Sequence, residues 1–224
     1  MVELRKRNLV YGWGINDADY NVVTWVEGKQ KMCAFYAAWK DMLQRCNSTN
    51  FKEKKQNAKY AECFTNESWK YFSDFKTWAI NQGFEDGLRL DKDILISGNK
   101  EYGPDTCAFV PPSINNLLLL SKQRDDIPLG ATYSKVRQRM VNELKKPYFS
   151  RLSRYGTHQL WLGFFGTAFE AHKCWQLAKA DYIEGMVAWY ATQDCFRTDV
   201  ADALTSRVWK LRLDNAQDRE TKYL

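Results

Sequence analysis

The sequence holds two histidines, His158 and His172, in 224 residues, and its six cysteines form no CxxC pair. Zinc fingers and ribbons need paired Cys or His ligands at short spacing, and secreted scaffolds need a cysteine framework, so both classes are excluded. The cysteines, at 33, 46, 63, 107, 174 and 195, read as small buried hydrophobes of a reducing compartment. No run approaches the roughly 18 apolar residues that a membrane span requires, so no membrane partner is expected. The opening MVELRKRNLVYGWG is basic but lacks an apolar signal-peptide core, so a cytoplasmic location is expected rather than export. There is no internal repeat and no low-complexity segment.

What is present points to a folded protein with a polyanionic partner. The chain is 45% hydrophobic and 15% aromatic, with nine Trp, enough apolar surface for one large core or two small ones. Its net charge of +6 favours nucleic acid as that partner.

Periodicity gives a coarse outline. Residues 1–29 read as irregular. From Lys31 to Cys46, Phe35, Trp39, Met42 and Leu43 recur at helical spacing. The polar stretch NSTNFKEKKQNA reads as a loop. A second helix is expected after Asn66, with Trp69, Phe72, Phe75 and Trp78 inward and Gly83 ending it. Residues 121–147 carry seven Lys or Arg against three acids and read as a basic linker. After Pro147, YFSRLSRYGTHQLWLGFFG reads as two or three short strands punctuated by Gly156 and Gly163. Thr167-x-x-Glu170 is a capping box opening a long helix through Phe169, Trp175, Ala178, Tyr182 and Met186, and a last helix begins near Thr198. The expected fold class is α+β: a helical N-terminal scaffold with a hairpin-helix unit, then a small antiparallel three-strand sheet packed on a long helix.

The stretch LDKDILISGNKEYGPDTCAFVPPSINN, residues 90–116, carries candidate chemistry. It reads as a strand, a Gly-Asn turn region, a second strand and a helix start, with Asp91, Lys92, Asp93, Asn99, Asn115 and Asn116 at its corners. Carboxylate and amide oxygens suit a hard cation such as Mg²⁺ or Mn²⁺. Such a cation supplies the Lewis acid that phosphodiester cleavage needs. Strand alternation puts Asp91 and Asp93 on one face, and Lys92 with Leu90 and Ile94 on the other.

This run resembles the ββα-metal core of HNH nucleases, in the form common among phage homing-endonuclease-like proteins. The upstream YxxWxxMLQRC and WKYFSDFKTW resemble the scaffold that precedes that core. The resemblance implies a nuclease half over residues 1–120, with its motif at 88–120. It implies Asp91 as first metal ligand, Asn115 as second with Asn116 as the alternative, and Asn99 as the residue pinning the hairpin. Lys92 stands where the family has its general-base histidine. Lysine is cationic at neutral pH, a poor base but suited to steadying a negative phosphorane. Asp93 or a metal-bound water would then supply the base. An isolated D-x-D reads equally as a solvated hairpin corner, with Asn115 a helix cap.

Residues 148–224 contain a second resemblance. YFSRLSRYGTHQLWLGFFGTAFEAHKCWQLAK, with its LGFFGTAFEA, is similar to the small three-strand-plus-helix DNA-binding domain of the APETALA2 type, with an extra helix after it. It implies that the sheet lies against double-stranded DNA and that Arg151, Arg154, His158, Gln159 and Trp161 reach bases and phosphates. Lys145 and Lys146 lead into it. Together the two resemblances imply a metal-dependent endonuclease or nicking enzyme of phage homing type, acting in an infected bacterial cytoplasm. The alternative is a catalytically reduced relative that binds DNA or regulates without cutting. The oligomeric state is left open, with a monomer favoured.

Overall fold

The apolar spacing between Lys31 and Cys46 becomes helix α1 (Ala34–Asn47), which buries Trp39, Met42 and Leu43 completely. The coordinates are a computed structural model and describe residues 8–120, 126–134 and 146–224. The chain divides into two units, Met1–Pro112 and Ser113–Leu224.

The first unit is built on α1 and α3 (Phe72–Asn81). Trp69, Phe72 and Phe75 are buried as the spacing requires, and Trp78 packs partly buried against them. Trp39 donates its indole N–H to the Trp69 carbonyl at 2.8 Å, so this large side chain sits inside without an unpaired polar atom. Gly14 crosses the same place: a Cβ there would lie 2.3 Å from Leu43 Cδ1. Gly83, at φ +67°, follows the end of α3.

Two expectations are corrected. The N-terminal stretch contains a hairpin, β1 (Val23–Val26) with β2 (Lys29–Met32), turned by Glu27 and Gly28 at φ 51° and 75°. Those angles form the primed turn that suits the twist of a two-residue hairpin. The polar loop after α1 is also partly ordered, as the one-turn helix α2 (Thr49–Lys52) and a 3-10 helix over Lys55–Tyr60. Ser48 caps α2 by accepting the Phe51 N–H, a local bond that a hydropathy pattern does not register.

The expected hairpin-helix unit has the anticipated order. β4 (Arg89–Asp91) pairs antiparallel with β6 (Ala108–Val110), Leu90 opposite Phe109, and one-turn helix α4 (Pro112–Asn115) follows. Between them β5 (Glu101–Tyr102) pairs in parallel with β3 (Phe64–Thr65), tying the intervening loop to the helical scaffold.

In the second unit, β7 (Ala131–Tyr133), β8 (Tyr148–Leu152) and β9 (Leu160–Phe165) form an antiparallel sheet in that order. Residues 148–165 thus supply two strands, and the third comes from the stretch read as a basic linker. The charge of that stretch masks Ala131-Thr132-Tyr133, a short β-prone run just after a proline and a glycine. Residues 121–125 and 135–145 of the linker, Lys145 among them, lie outside the described residues. Helix α5 (Ala168–Tyr190) packs across all three strands and against α6 (Thr198–Ala216). The Thr167–Glu170 capping box forms as expected, with both reciprocal bonds at 3.1 Å. The buried side of α5 differs from the expected stripe: it comprises Ala171, His172, Trp175, Gln176, Lys179, Ala180, Ile183 and Tyr190. A helix covered on two sides has no single apolar stripe to display.

Candidate functional site

Asp91 ends β4, and its carboxylate Oδ1 accepts the backbone N–H groups of Asp93 at 2.8 Å and Ile94 at 2.7 Å. The carboxylate therefore caps the turn that leaves the strand. Burial pushes the Asp91 carboxyl pKa upward, and the two backbone donors oppose that shift.

Lys92 lies just past the end of β4 and is buried, as are Leu90 and Ile94. Its side chain is 6% exposed, and its ammonium donates to Asp93 Oδ1 at 2.6 Å and to the Asn99 carbonyl at 2.5 Å. It also lies 5.9 Å from the centre of the Tyr102 ring. Asn99 returns the bond, donating from Nδ2 to the Lys92 carbonyl at 2.8 Å and to the Glu101 carbonyl at 2.7 Å. Its Oδ1 accepts the Glu101 N–H at 3.0 Å. Lys92 and Asn99 are thus the two halves of a clasp that closes residues 92–99. Lys92, expected to face a phosphate, is committed to the loop interior, and Asp93 is the exposed member of the pair.

Asn115 and Asn116 lie in the second unit and Asp91 in the first. Asn115 closes α4 and is half-buried, as is Asn116. Within the first unit, Asp91 is a half-buried carboxylate whose ionised form a cation would favour. Among the described residues, no group of three or more His, Cys, Asp or Glu is placed to hold a metal ion.

The sheet of the second unit presents the other constellation. Across β8 and β9, Phe149 faces Phe164 and Arg151 faces Trp161, on the side opposite the buried Ser150 and Leu152. The register shifts between Ser150 and Arg151, where β9 passes from Gly163 to Trp161 and leaves Leu162 without a partner. This bulge brings Trp161 and Phe164, three residues apart, onto one face. Gly163 beside it takes φ +124°, a conformation side chains rarely adopt. Trp161 stacks on Phe149, centroids 5.3 Å apart and planes 21° from parallel, and meets Phe164 edge-on at 4.8 Å. The Arg151 guanidinium lies 5.7 Å from the Phe149 ring centre.

Arg154, His158 and Gln159 occupy the turn between β8 and β9, all exposed, and Gln159 donates to Ser153 Oγ at 3.2 Å. Lys146 is exposed just ahead of β8. The structure thus groups Arg151 with Trp161 on the sheet face, and the other three in the adjoining turn. Phe149 and Phe164 complete this face and were not anticipated. The alternation Phe149-x-Arg151 would have identified the first, whereas the bulge hides the second. The second unit carries 17 Lys or Arg against 12 Asp or Glu, so nearly all of the chain's excess charge lies there. From Leu144 to Phe169 there is no acidic residue.

Comparison of the chain with family models, with curated proteins and with solved structures finds no match.

Proposed function

We propose that this chain is a DNA-binding protein whose contact surface is the exposed face of β7–β8–β9 and the turn after β8. The observation that carries the reading is the cross-strand pairing of Arg151 with Trp161 on an acid-free hairpin. Cations neutralise phosphates and release condensed counterions, while an aromatic ring packs on sugar or base. Arg151, Arg154 and Lys146 are spread along this hairpin and would follow a phosphate backbone. Electrophoretic mobility shift with duplex DNA at several salt concentrations tests it. The Arg151→Ala/Arg154→Ala double variant should bind more weakly, and its log Kd against log salt slope should fall by about 1.8 in magnitude. An unchanged slope would remove this face from the interface.

A second reading, metal-dependent phosphodiester hydrolysis by an HNH-like first unit, is favoured by the β4–β6–α4 order and the Asn99 clasp. In it Asp91, with water, would hold Mg²⁺ or Mn²⁺, which would supply the Lewis acid. Asp93 is the exposed carboxylate available as base, and Lys92 keeps the loop in shape. Nicking of supercoiled plasmid that requires Mg²⁺ or Mn²⁺, stops with EDTA and is lost in Asp91→Asn would establish this activity. Binding without nicking leaves the first reading alone.

A further inference from the structure

We infer that the exposed face of this sheet takes single-stranded DNA, with an unpaired base stacked on the indole of Trp161. The inference rests on the DNA-binding reading above and specifies the state of the DNA. Three observations carry it. Trp161 is 51% exposed although one of its ring faces lies on Phe149 and its edge meets Phe164. The two phenylalanines hold the indole in place while half of its surface stays accessible. Ser150 and Leu152, which point to the other side of β8, are buried, so Trp161 lies on the side away from them.

A base inside a duplex has both of its faces occupied by neighbouring bases, and it presents only edges to the groove. An accessible indole face is therefore matched by a base that has left the stack. Such pairing is tolerant of sequence, because every base has a π-face. The charge around the ring suits the backbone of such a strand. Arg151 lies one strand away, Arg154 and His158 in the adjoining turn and Lys146 at the start of β8, with no acid between Leu144 and Phe169. Glu170, the next acid in the sequence, has its carboxylate tied to the Gly166 and Thr167 amides.

The test is fluorescence anisotropy of the full chain with labelled oligothymidylate and, separately, with a labelled duplex. Trp161→Leu keeps apolar contact with Phe149 and Phe164 but removes the indole, whereas Trp161→Phe keeps a ring. The leucine variant should bind oligothymidylate roughly tenfold more weakly, the phenylalanine variant should lose less, and duplex affinity should change less than either. As a measurement independent of whether the variants fold, photocrosslinking of the wild-type chain to an iododeoxyuridine-substituted strand should map to the β8–β9 hairpin. Two results overturn the inference but leave the DNA-binding reading in place. One is duplex binding without oligothymidylate binding. The other is a folded Trp161→Leu chain that binds the single strand as tightly as wild type, with crosslinks elsewhere. Failure to bind either DNA overturns both.

Discussion

Replacing Lys92 with methionine tests whether this residue is scaffold or chemistry. The substitution keeps an unbranched apolar stem in a buried position and deletes the ammonium. Two short hydrogen bonds disappear, at 2.6 Å to Asp93 Oδ1 and 2.5 Å to the Asn99 carbonyl. The first contributes little, because the Asp93 side chain is 55% exposed and water replaces the lost partner. The second leaves a carbonyl of the clasp without its donor, which costs about 1–3 kcal/mol. Removing the need to bury an ammonium offsets part of that. The expected loss is about 1–3 kcal/mol, or roughly 4–12 °C in melting temperature for a unit of this size. It should appear in the transition of the first unit, followed by circular dichroism or calorimetry. Hydrogen exchange at Glu101, whose N–H is held by Asn99, should accelerate in parallel. Lys92→His should show the same defect rather than a gain of activity, because the ring cannot reproduce both contacts. A methionine variant that melts with wild type but loses metal-dependent nicking would refute the structural assignment and restore a catalytic one.

His172 is buried, with Nδ1 donating to the Leu129 carbonyl at 2.7 Å and Nε2 accepting the Thr221 N–H at 3.0 Å, so it is held neutral. Burial lowers its pKa below the usual 6.5, while Asp214 and Glu220 pull the other way. Its contribution to stability is complete above about pH 6.5 and is lost as pH falls through the lowered value. Thr221 amide exchange, corrected for intrinsic rate, should therefore quicken from pH 7 to pH 5, and a flat profile would contradict the tautomer. Lys179 donates to the Leu117 carbonyl alone among its described bonds, and burial lowers its pKa to about 8. Lys179→Met should raise stability at pH 7 by on the order of 1–3 kcal/mol, a gain that fades as pH rises toward 10.5. Equal destabilisation at both pH values would count against this. Gly130 sits at φ +76°, and a Cβ there would lie 2.0 Å from Trp175 Cγ. Gly130→Ala should cost more than about 2 kcal/mol in denaturant titration, and a change within experimental error would show that the indole yields.

The helices were legible because their signals are local. Spacing in α1 and α3 and the Thr167 capping box depend on residues within a few positions of one another. The β4–β6 pairing was also legible, as two short runs on either side of the Gly98-Asn99 turn. The role of Lys92 was not. That depends on where the Asn99 carbonyl falls, seven residues on, and charge alone does not distinguish a phosphate partner from a buried one. β7 was hidden because basic composition outweighed a three-residue strand signal. The polar interior of α5 was hidden because His172, Gln176 and Lys179 find partners far along the chain, at Thr221, Arg219 and Leu117. Of the residues proposed to contact DNA, Arg151 and Trp161 pair across the sheet. The supporting Phe149 and Phe164 are a property of register.

That register gives the β8–β9 hairpin an unusual grammar. Leu162 is one residue too many for regular pairing, and its presence lets two aromatic side chains three positions apart share a side. Pairing Leu162 regularly would turn either Trp161 or Phe164 into the sheet interior, whereas deleting it removes the bulge and leaves the two aromatics, then two positions apart, on one side. The outward chemistry of this hairpin is therefore written in pairing register as much as in residue type. A register shift that closes the bulge with Leu162 retained rewires it, where substitutions would only retune it.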